Sequence, residues 1–463
     1  MNILLTHGYF LEEDPKEKLI MKPYVPLGIL YISAFLEKNG YDNDVFDSTF
    51  LSFDALSATL LEKKPTVVAI YTNLMTKINV LKIIDLVKSK PELKHTKIIL
   101  GGPEVKNHAS NFLLYGADVI VFGEGELTML ELIKAIEANE PFQHINGIAF
   151  TDAQGMMVKT PERSLNKELD ELPVPNRKKI NMQLYLDAWK NNHGYSSINL
   201  SSMRGCPYTC KWCSRAVYGQ SYRRRKASLV VDEIEALQKE YNFDNIWFVD
   251  DVFTVSHKWL QEFVEEVERR GVKFQYECIS RADRLNEEVI KLLKRSGCFR
   301  VWIGAESGSQ KIIDAMDRRV DVVQTREMIR LVKAHGIEAG TFIMLGYPGE
   351  TEEDIVETMN HLKTSLPDQF TITITYPIKG TPLYAEVEKD FLTNFPWETS
   401  TDRDIDFKRM YPRQYYEHAV VWVVNEVNAR KNITQGQYKN ALKCKLRAIR
   451  HKWQMNKLKT PAA

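Results

Sequence analysis

Cys206, Cys210 and Cys213 stand in the run RGCPYTCKWCSRA, a C-x3-C-x2-C spacing that supplies three thiols and no fourth. Thiolates this close together suit zinc or iron-sulfur clusters, but structural zinc sites and simple electron-transfer clusters use four protein ligands. Three ligands leave one position open. An iron with an open position can hold a small molecule and pass an electron directly to it, so the triplet points to chemistry rather than structural cross-linking. Zinc is the competing reading, and no fourth ligand lies at finger-like spacing.

The triplet needs a scaffold, and the surrounding patterns describe one. From Ser197 to about Tyr384, apolar runs at 198–200, 246–249, 274–278, 300–303, 339–344 and 369–374 alternate with helical patterns near 229–240, 257–269, 287–296, 310–316 and 322–335. Six such units predict a partial (β/α)6, TIM-like barrel over residues 196–385, with reactive groups at the carboxyl ends of its strands. The cysteine loop follows the first strand directly.

Residues 1–140 read as a doubly wound, Rossmann-like α/β domain. Its strands are expected at 3–5, 45–46, 67–70, 98–100 and 119–122, and its helices near 27–39, 53–62, 80–89 and 128–138. The strand ends carry Thr6, His7 and Gly8, then Thr72, then Gly101 and Gly102, then Gly123 to Glu126. Small residues there let backbone approach a large flat ligand or a phosphate; the competing reading is that these glycines only make tight turns. Residues 141–195 read as a connector containing a strand and turn near 147–155 and the proline-rich LDELPVPNR. Residues 386–463 read as a mainly helical region on the substrate side.

Composition sets the class. The 463 residues are 44% hydrophobic, enough for two or three domains, and the net charge of +1 gives no global electrostatic case for nucleic acid. Six cysteines, half of them in one cluster, do not form a disulfide framework. The first residues lead into a strand rather than a secretory signal, and no run reaches the length of a membrane span. A reducing cytoplasm is the expected location. From Lys439 to Lys459 there are eight Lys or Arg and no Asp or Glu, interspersed with Leu442, Leu446, Ile449 and Trp453. That segment is compatible with weak contact to anionic lipid, or with a solvated helix lying on the enzyme. Arg223, Arg224, Arg225 and Lys226 either bind a cofactor tail or acidic substrate, or anchor the loop.

In these surroundings RGCPYTCKWC resembles the signature of radical S-adenosylmethionine (SAM) enzymes. The resemblance implies that Cys206, Cys210 and Cys213 ligate a [4Fe-4S] cluster, with Trp212 as the aromatic residue before the last cysteine, and that SAM chelates the fourth iron. FVDDVF at 248–253 resembles the segment that meets the SAM amino group, ISRAD at 279–283 the segment whose arginine meets its carboxylate, and WIGAESGSQ at 302–310 a ribose-contacting segment. By that resemblance Asp250 or Asp251 accepts from the ammonium, Arg281 binds the carboxylate and Glu306 holds ribose hydroxyls.

The first domain resembles the cobalamin-binding domain fused ahead of many such enzymes, on PYVPLGILYISAFLEKNGY, VFDST, IILGGPEV and VFGEGELT. The resemblance implies corrin across the strand ends, contacted near Thr6, Thr72, Gly101, Gly102 and Gly125. The D-x-H-x-x-G string of domains that ligate cobalt from below is missing, which leaves His7 and His108 as ambiguous candidates.

With both cofactors the economical reaction is methylation of an unactivated carbon. A deoxyadenosyl radical takes the hydrogen, methylcobalamin supplies the methyl group, and a second SAM restores it as S-adenosylhomocysteine forms. The alternatives are cyclisation or rearrangement without methyl transfer, with or without cobalamin, and a non-catalytic electron-transfer protein. The expected substrate is a small molecule, a lipid precursor or a peptide, and an external one-electron reductant is required. No residue is singled out as a catalytic acid or base.

Overall fold

The computed structural model describes residues 1–459. Strands β1 (Ile3–His7), β2 (Asp44–Phe46), β3 (Val67–Tyr71), β4 (Lys97–Gly101) and β5 (Val119–Val121) form a parallel sheet in the order 2-1-3-4-5. Alternation along each strand sorts the two faces. Leu4, Val68, Ile98 and Ile120 pack under helices Phe53–Lys63, Lys77–Ser89 and Ala109–Tyr115, while Leu5, Val67, Ile99 and Val121 pack under Leu27–Lys38 and Glu126–Ala138.

The hairpin β6 (Ile148–Thr151) and β7 (Met157–Lys159) extends the same sheet, β6 running antiparallel to β5. The span 141–195, expected as a connector, thus contributes two strands to the first sheet. It also contributes the helix Met182–His193, which docks back on the first domain by donating from Trp189 Nε1 to the Pro23 carbonyl at 2.9 Å.

The second sheet is the expected partial barrel. Its strands are β8 (Ser197–Leu200), then, after the short antiparallel pair β9 (Met203–Arg204) and β10 (Arg223–Arg224), β11 (Asn245–Phe248), β12 (Tyr276–Ser280), β13 (Cys298–Glu306), β14 (Glu338–Leu345) and β15 (Gln369–Ile374). The six barrel strands are parallel and neighbour one another in chain order. The face of the first sheet under Leu27–Lys38 shares one apolar core with barrel residues such as Ile198, Leu200, Ile246 and Phe248. This continuity sets the strand ends of both sheets around a common space.

The carboxyl-terminal region is helical, as expected. Helices Arg413–Thr434 and Tyr438–Lys457 form a hairpin against Glu352–Ser365 and the barrel edge, through Tyr415, Trp422, Val423, Val427, Ala448 and Met455. Among the described residues no helix is long and apolar enough to cross a membrane.

Candidate active site

A cavity of about 620 Å³ lies where the carboxyl ends of the two sheets meet. On one side its wall is mostly backbone and apolar surface: Gly101, Gly102, Gly123 and Gly125, with Leu5, Ile29, Ala69, Ile99 and Met129 lining a slot toward the sheet. Gly102 is fixed by geometry. Its φ is +107°, and a Cβ there would fall 2.3 Å from the Thr72 carbonyl oxygen. A Cβ at Gly125 would sit 2.9 Å from Ile32. A wall stripped of side chains and continued by an apolar slot fits a large flat ligand with an aromatic tail, which is the shape of cobalamin.

Thr6 and Thr72, expected to touch that ligand, do not line the cavity. Each hydroxyl is turned into the sheet, Thr6 donating to the Phe46 carbonyl at 2.8 Å and Thr72 to the Ile70 carbonyl at 3.5 Å. His7 does line the cavity, but its ring is committed. Nδ1 accepts from the Tyr9 backbone N–H at 3.2 Å, which makes Nε2 the donor to Asp47 at 3.0 Å. Asp47 is held in turn by the Tyr185 hydroxyl at 2.8 Å. His108 lies off the cavity, buried beside Trp397. Neither histidine is presented as a lower cobalt ligand.

The acidic residues of the GEGE turn serve a different purpose. Glu124 pairs with Arg204 at 2.7 Å and with Arg223 at 2.7 Å, and Glu126 pairs with Arg204 at 2.5 Å, all with side chains about one-tenth exposed or less. These bonds latch the first domain to β9 and β10, the two short strands bracing the cysteine loop. Arg224 stacks 3.5 Å over Trp259, and Arg225 pairs with buried Glu233 at 2.5 Å. The basic run is therefore loop anchoring rather than a ligand-binding patch.

The cysteine loop leaves β9 through Gly205, where φ is +85° and a Cβ would strike Ser221. Cys206 is half-buried, Cys210 buried and Cys213 exposed. Among the described residues no three His, Cys, Asp or Glu side chains converge as they would around one ion. Burial, and then the backbone donor at Tyr208 and the nearby Asp251 carboxylate, act on Cys206 with a net upward shift of its thiol. A cationic cluster would relieve that penalty by taking the thiolate.

Two guanidiniums point at Cys210. Arg281 Nη1 is 3.8 Å and Arg318 Nη1 3.5 Å from its sulfur. Arg281 is also clamped by Asp283 at 2.8 Å and lies 3.8 Å over the Tyr208 ring, so its fork is spent within the protein. It is expected to take a ligand carboxylate; in this structure it is a buried neighbour of the cysteine loop, held by Asp283 and the Arg318 carbonyl. Arg318 carries no sequence signal beyond its place in DRR. The chain bends sharply to present it, with Asp317 and Arg319 on either side both at positive φ, 49° and 55°.

Glu306 ends β13 with φ +62°, a conformation that costs a non-glycine residue about 1–2 kcal/mol. Its carboxylate lies 3.6 Å from Arg318, and burial pushes its pKa upward against the pull of Arg318 and Arg281. The two aspartates separate clearly. Asp250 is fully buried and accepts from the Ser202 and Met203 backbone N–H groups at 2.8 and 3.1 Å, tying β11 to the cysteine loop. Asp251 lines the cavity and is exposed, which leaves its carboxylate available to a ligand. Trp212 is off the cavity, packed with Ile312, Met316, Tyr347 and Leu383.

Comparison with known proteins agrees with this construction. The Radical SAM superfamily pattern matches residues 200–362 and the B12 binding domain pattern residues 21–133. The chain is 27% identical over 386 residues to a protein of Pyrococcus horikoshii named as an uncharacterized methyltransferase, covering 82% of each. It is 26% identical to the anaerobic magnesium-protoporphyrin IX monomethyl ester cyclase of Rubrivivax gelatinosus, covering 78% of this chain and 66% of the cyclase. Among solved structures, the radical SAM methyltransferase TsrM of Kitasatospora setae with cobalamin and [4Fe-4S] cluster bound superposes with a TM-score of 0.70 at 18% identity, over 84% of this chain and 78% of TsrM. The fold and site thus define a radical SAM enzyme. The chain belongs to the family in which that domain follows a B12-binding domain, and its cofactors are a [4Fe-4S] cluster, SAM and cobalamin.

Proposed function

We propose that this enzyme methylates an unactivated carbon of a small-molecule, lipid-precursor or peptide substrate. The observation that carries the reading is the single cavity walled on one side by Gly101, Gly102 and Gly125 and on the other by Gly205, Asp250 and Asp251. When bound, the cluster with SAM supplies hydrogen abstraction by a carbon radical, and cobalamin supplies the methyl group. The residues of this chain hold, orient and exclude.

Cys206, Cys210 and Cys213 are the proposed cluster ligands, and N–H groups of Arg281 and Arg318 facing Cys210 would draw charge from its sulfur and ease reduction. Asp251 would accept from the SAM ammonium and Glu306 from ribose hydroxyls, with Arg318 beside Glu306 favouring its anionic form. Asp250 positions rather than binds, because Oδ1 accepts from the Ser202 and Met203 backbone and Oδ2 from the Ser202 hydroxyl. A wall of tyrosine and apolar side chains, including Tyr71 and Tyr218, would limit the approach of water and stray C–H bonds to the radical. The proposed setting is the cytoplasm, with an external one-electron reductant and no nucleic-acid partner.

Cyclisation or rearrangement without methyl transfer is the second reading, favoured by the cyclase relative that matches 78% of the chain. Anaerobic turnover of the reconstituted enzyme separates the two. Methylation yields 5'-deoxyadenosine and S-adenosylhomocysteine together, while the second reading yields no S-adenosylhomocysteine. The triple variant Cys206→Ala, Cys210→Ala, Cys213→Ala is expected to make no deoxyadenosine, and persistent production would remove the cluster assignment.

A further inference from the structure

The last helix, Tyr438–Lys457, has two contrasting long faces. Ala441, Ala448 and Met455 are buried, the latter two in the core shared with Arg413–Thr434, and Lys445 ties to Glu426 at 2.7 Å. Lys459, just beyond the helix, pairs with Glu352 at 2.9 Å. These contacts fix how the helix is rotated. Turned outward are Tyr438, Leu442, Leu446, Ile449 and Trp453, each between 54% and 70% exposed. Their spacing of four, four, three and four residues places them in one stripe, roughly 80° wide at 3.6 residues per turn.

Such a stripe is costly in water, and single exposed apolar side chains elsewhere on a surface do not line up in this way. One flank carries Lys439, Lys443, Arg447, Arg450 and Lys457, all exposed and none with an ion-pair partner among the described residues, while Lys445, Lys452 and Lys459 on the other side are paired to acids. From Val427 to the end of the sequence there is no Asp or Glu. We propose that this face docks the enzyme on an anionic lipid surface, the helix lying in the interface plane with its stripe in the acyl boundary and its cations among the headgroups.

Charge decides the occupant. A second copy of the chain, face to face, would bring two acid-free basic rims together and pay for like-charge contact along the helix. An anionic bilayer offers apolar depth and negative charge at once. Tyr438 and Trp453, at the two ends of the stripe, are the amphipathic residue types favoured at that boundary. The contact is a surface one, since none of the described helices is long and apolar enough to cross a bilayer. It is independent of the chemistry proposed above.

Flotation of the reconstituted full chain with phosphatidylcholine vesicles, and with vesicles also containing phosphatidylglycerol, tests it. The expected result is association with the anionic vesicles only, weakening as ionic strength rises. Lys443→Gln with Arg450→Gln should lower partitioning about fivefold per charge, and Leu446→Ser with Ile449→Ser at least about tenfold. Thermal melting should be unchanged, since all four side chains are exposed. Wild-type protein that stays with the solution at low ionic strength overturns the proposal. So does an Leu446→Ser, Ile449→Ser variant that floats like wild type. A dimer in sedimentation equilibrium that this variant dissociates would assign the stripe to a second copy and overturn it as well.

Discussion

The two parallel sheets end on the same cavity and offer it opposite things. The first sheet offers absence: glycines, an apolar slot, threonines turned inward and carboxylates spent on arginines of the other domain. The barrel offers functional groups: Asp251 on the cavity wall and, set back from it, the three thiols of the loop that leaves through Gly205 and a strained Glu306 beside Arg318. A ligand that brings its own reactivity needs a shaped hollow, whereas a cluster and a charged cosubstrate need ligands and counter-charges. The asymmetry of the walls thus mirrors the asymmetry of the cofactors.

This contrast can be broken from either side. The largest effect is expected from Gly102→Val, which forces a branched side chain onto the Thr72 carbonyl at a left-handed position. Cobalt binding should be lost while iron per chain is kept, with stability down by about 2 kcal/mol or more. Equal loss of both metals would show that the walls are not separable. Next is the latch between the regions. Glu124→Ala strips Arg223 of its carboxylate and takes one of two from Arg204, and denaturant unfolding should show a loss of roughly 3–5 kcal/mol. A loss below about 1 kcal/mol would make these surface-like pairs.

A smaller effect, set by pH, comes from Glu104, just past β4. It is buried near His108, Lys77 and Asp402, and burial, then Asp402, raises its pKa from 4.5 to about 7. Folded protein then keeps a proton the unfolded chain has lost, so this group removes stability as pH rises from 4.5 to about 7. His108 acts in the other direction. Burial lowers its pKa from 6.5 to about 3, so its contribution recovers across that interval as pH rises. Glu104→Gln removes only the falling arm. The variant should match wild type near pH 4.5 and exceed it by up to about 3 kcal/mol at pH 8. An offset that does not change with pH would contradict the burial account.

The strands of both sheets were legible because apolar runs and their spacing survive without tertiary information. The hairpin Ile148–Thr151 and Met157–Lys159 was seen as a strand and turn, but nothing local says that a strand will join an existing sheet edge. The helix Glu352–Ser365 was missed although GETEED carries its cap, Thr351 and Asp354 closing a capping box. At the site, the motif singles out the cysteine loop and the pair Asp250 and Asp251, while only the structure separates the buried aspartate from the exposed one. Thr6 and Thr72 are ambiguous in the sequence because a hydroxyl at a strand end looks the same whether it faces a ligand or a carbonyl, and here each is turned to a carbonyl. Arg318 was invisible, since its nearness to Cys210 arises from two left-handed residues whose conformation leaves no mark in the sequence.

The central claim is that one chain holds two cofactors on unlike walls of one cavity. Its most direct test is cobalt and iron per chain, with a visible spectrum, after anaerobic reconstitution with cobalamin and iron-sulfur components followed by desalting. About one cobalt and about four irons are expected. About four irons without cobalt would contradict the account, leaving the glycine-lined wall without its cofactor and methylation without its donor.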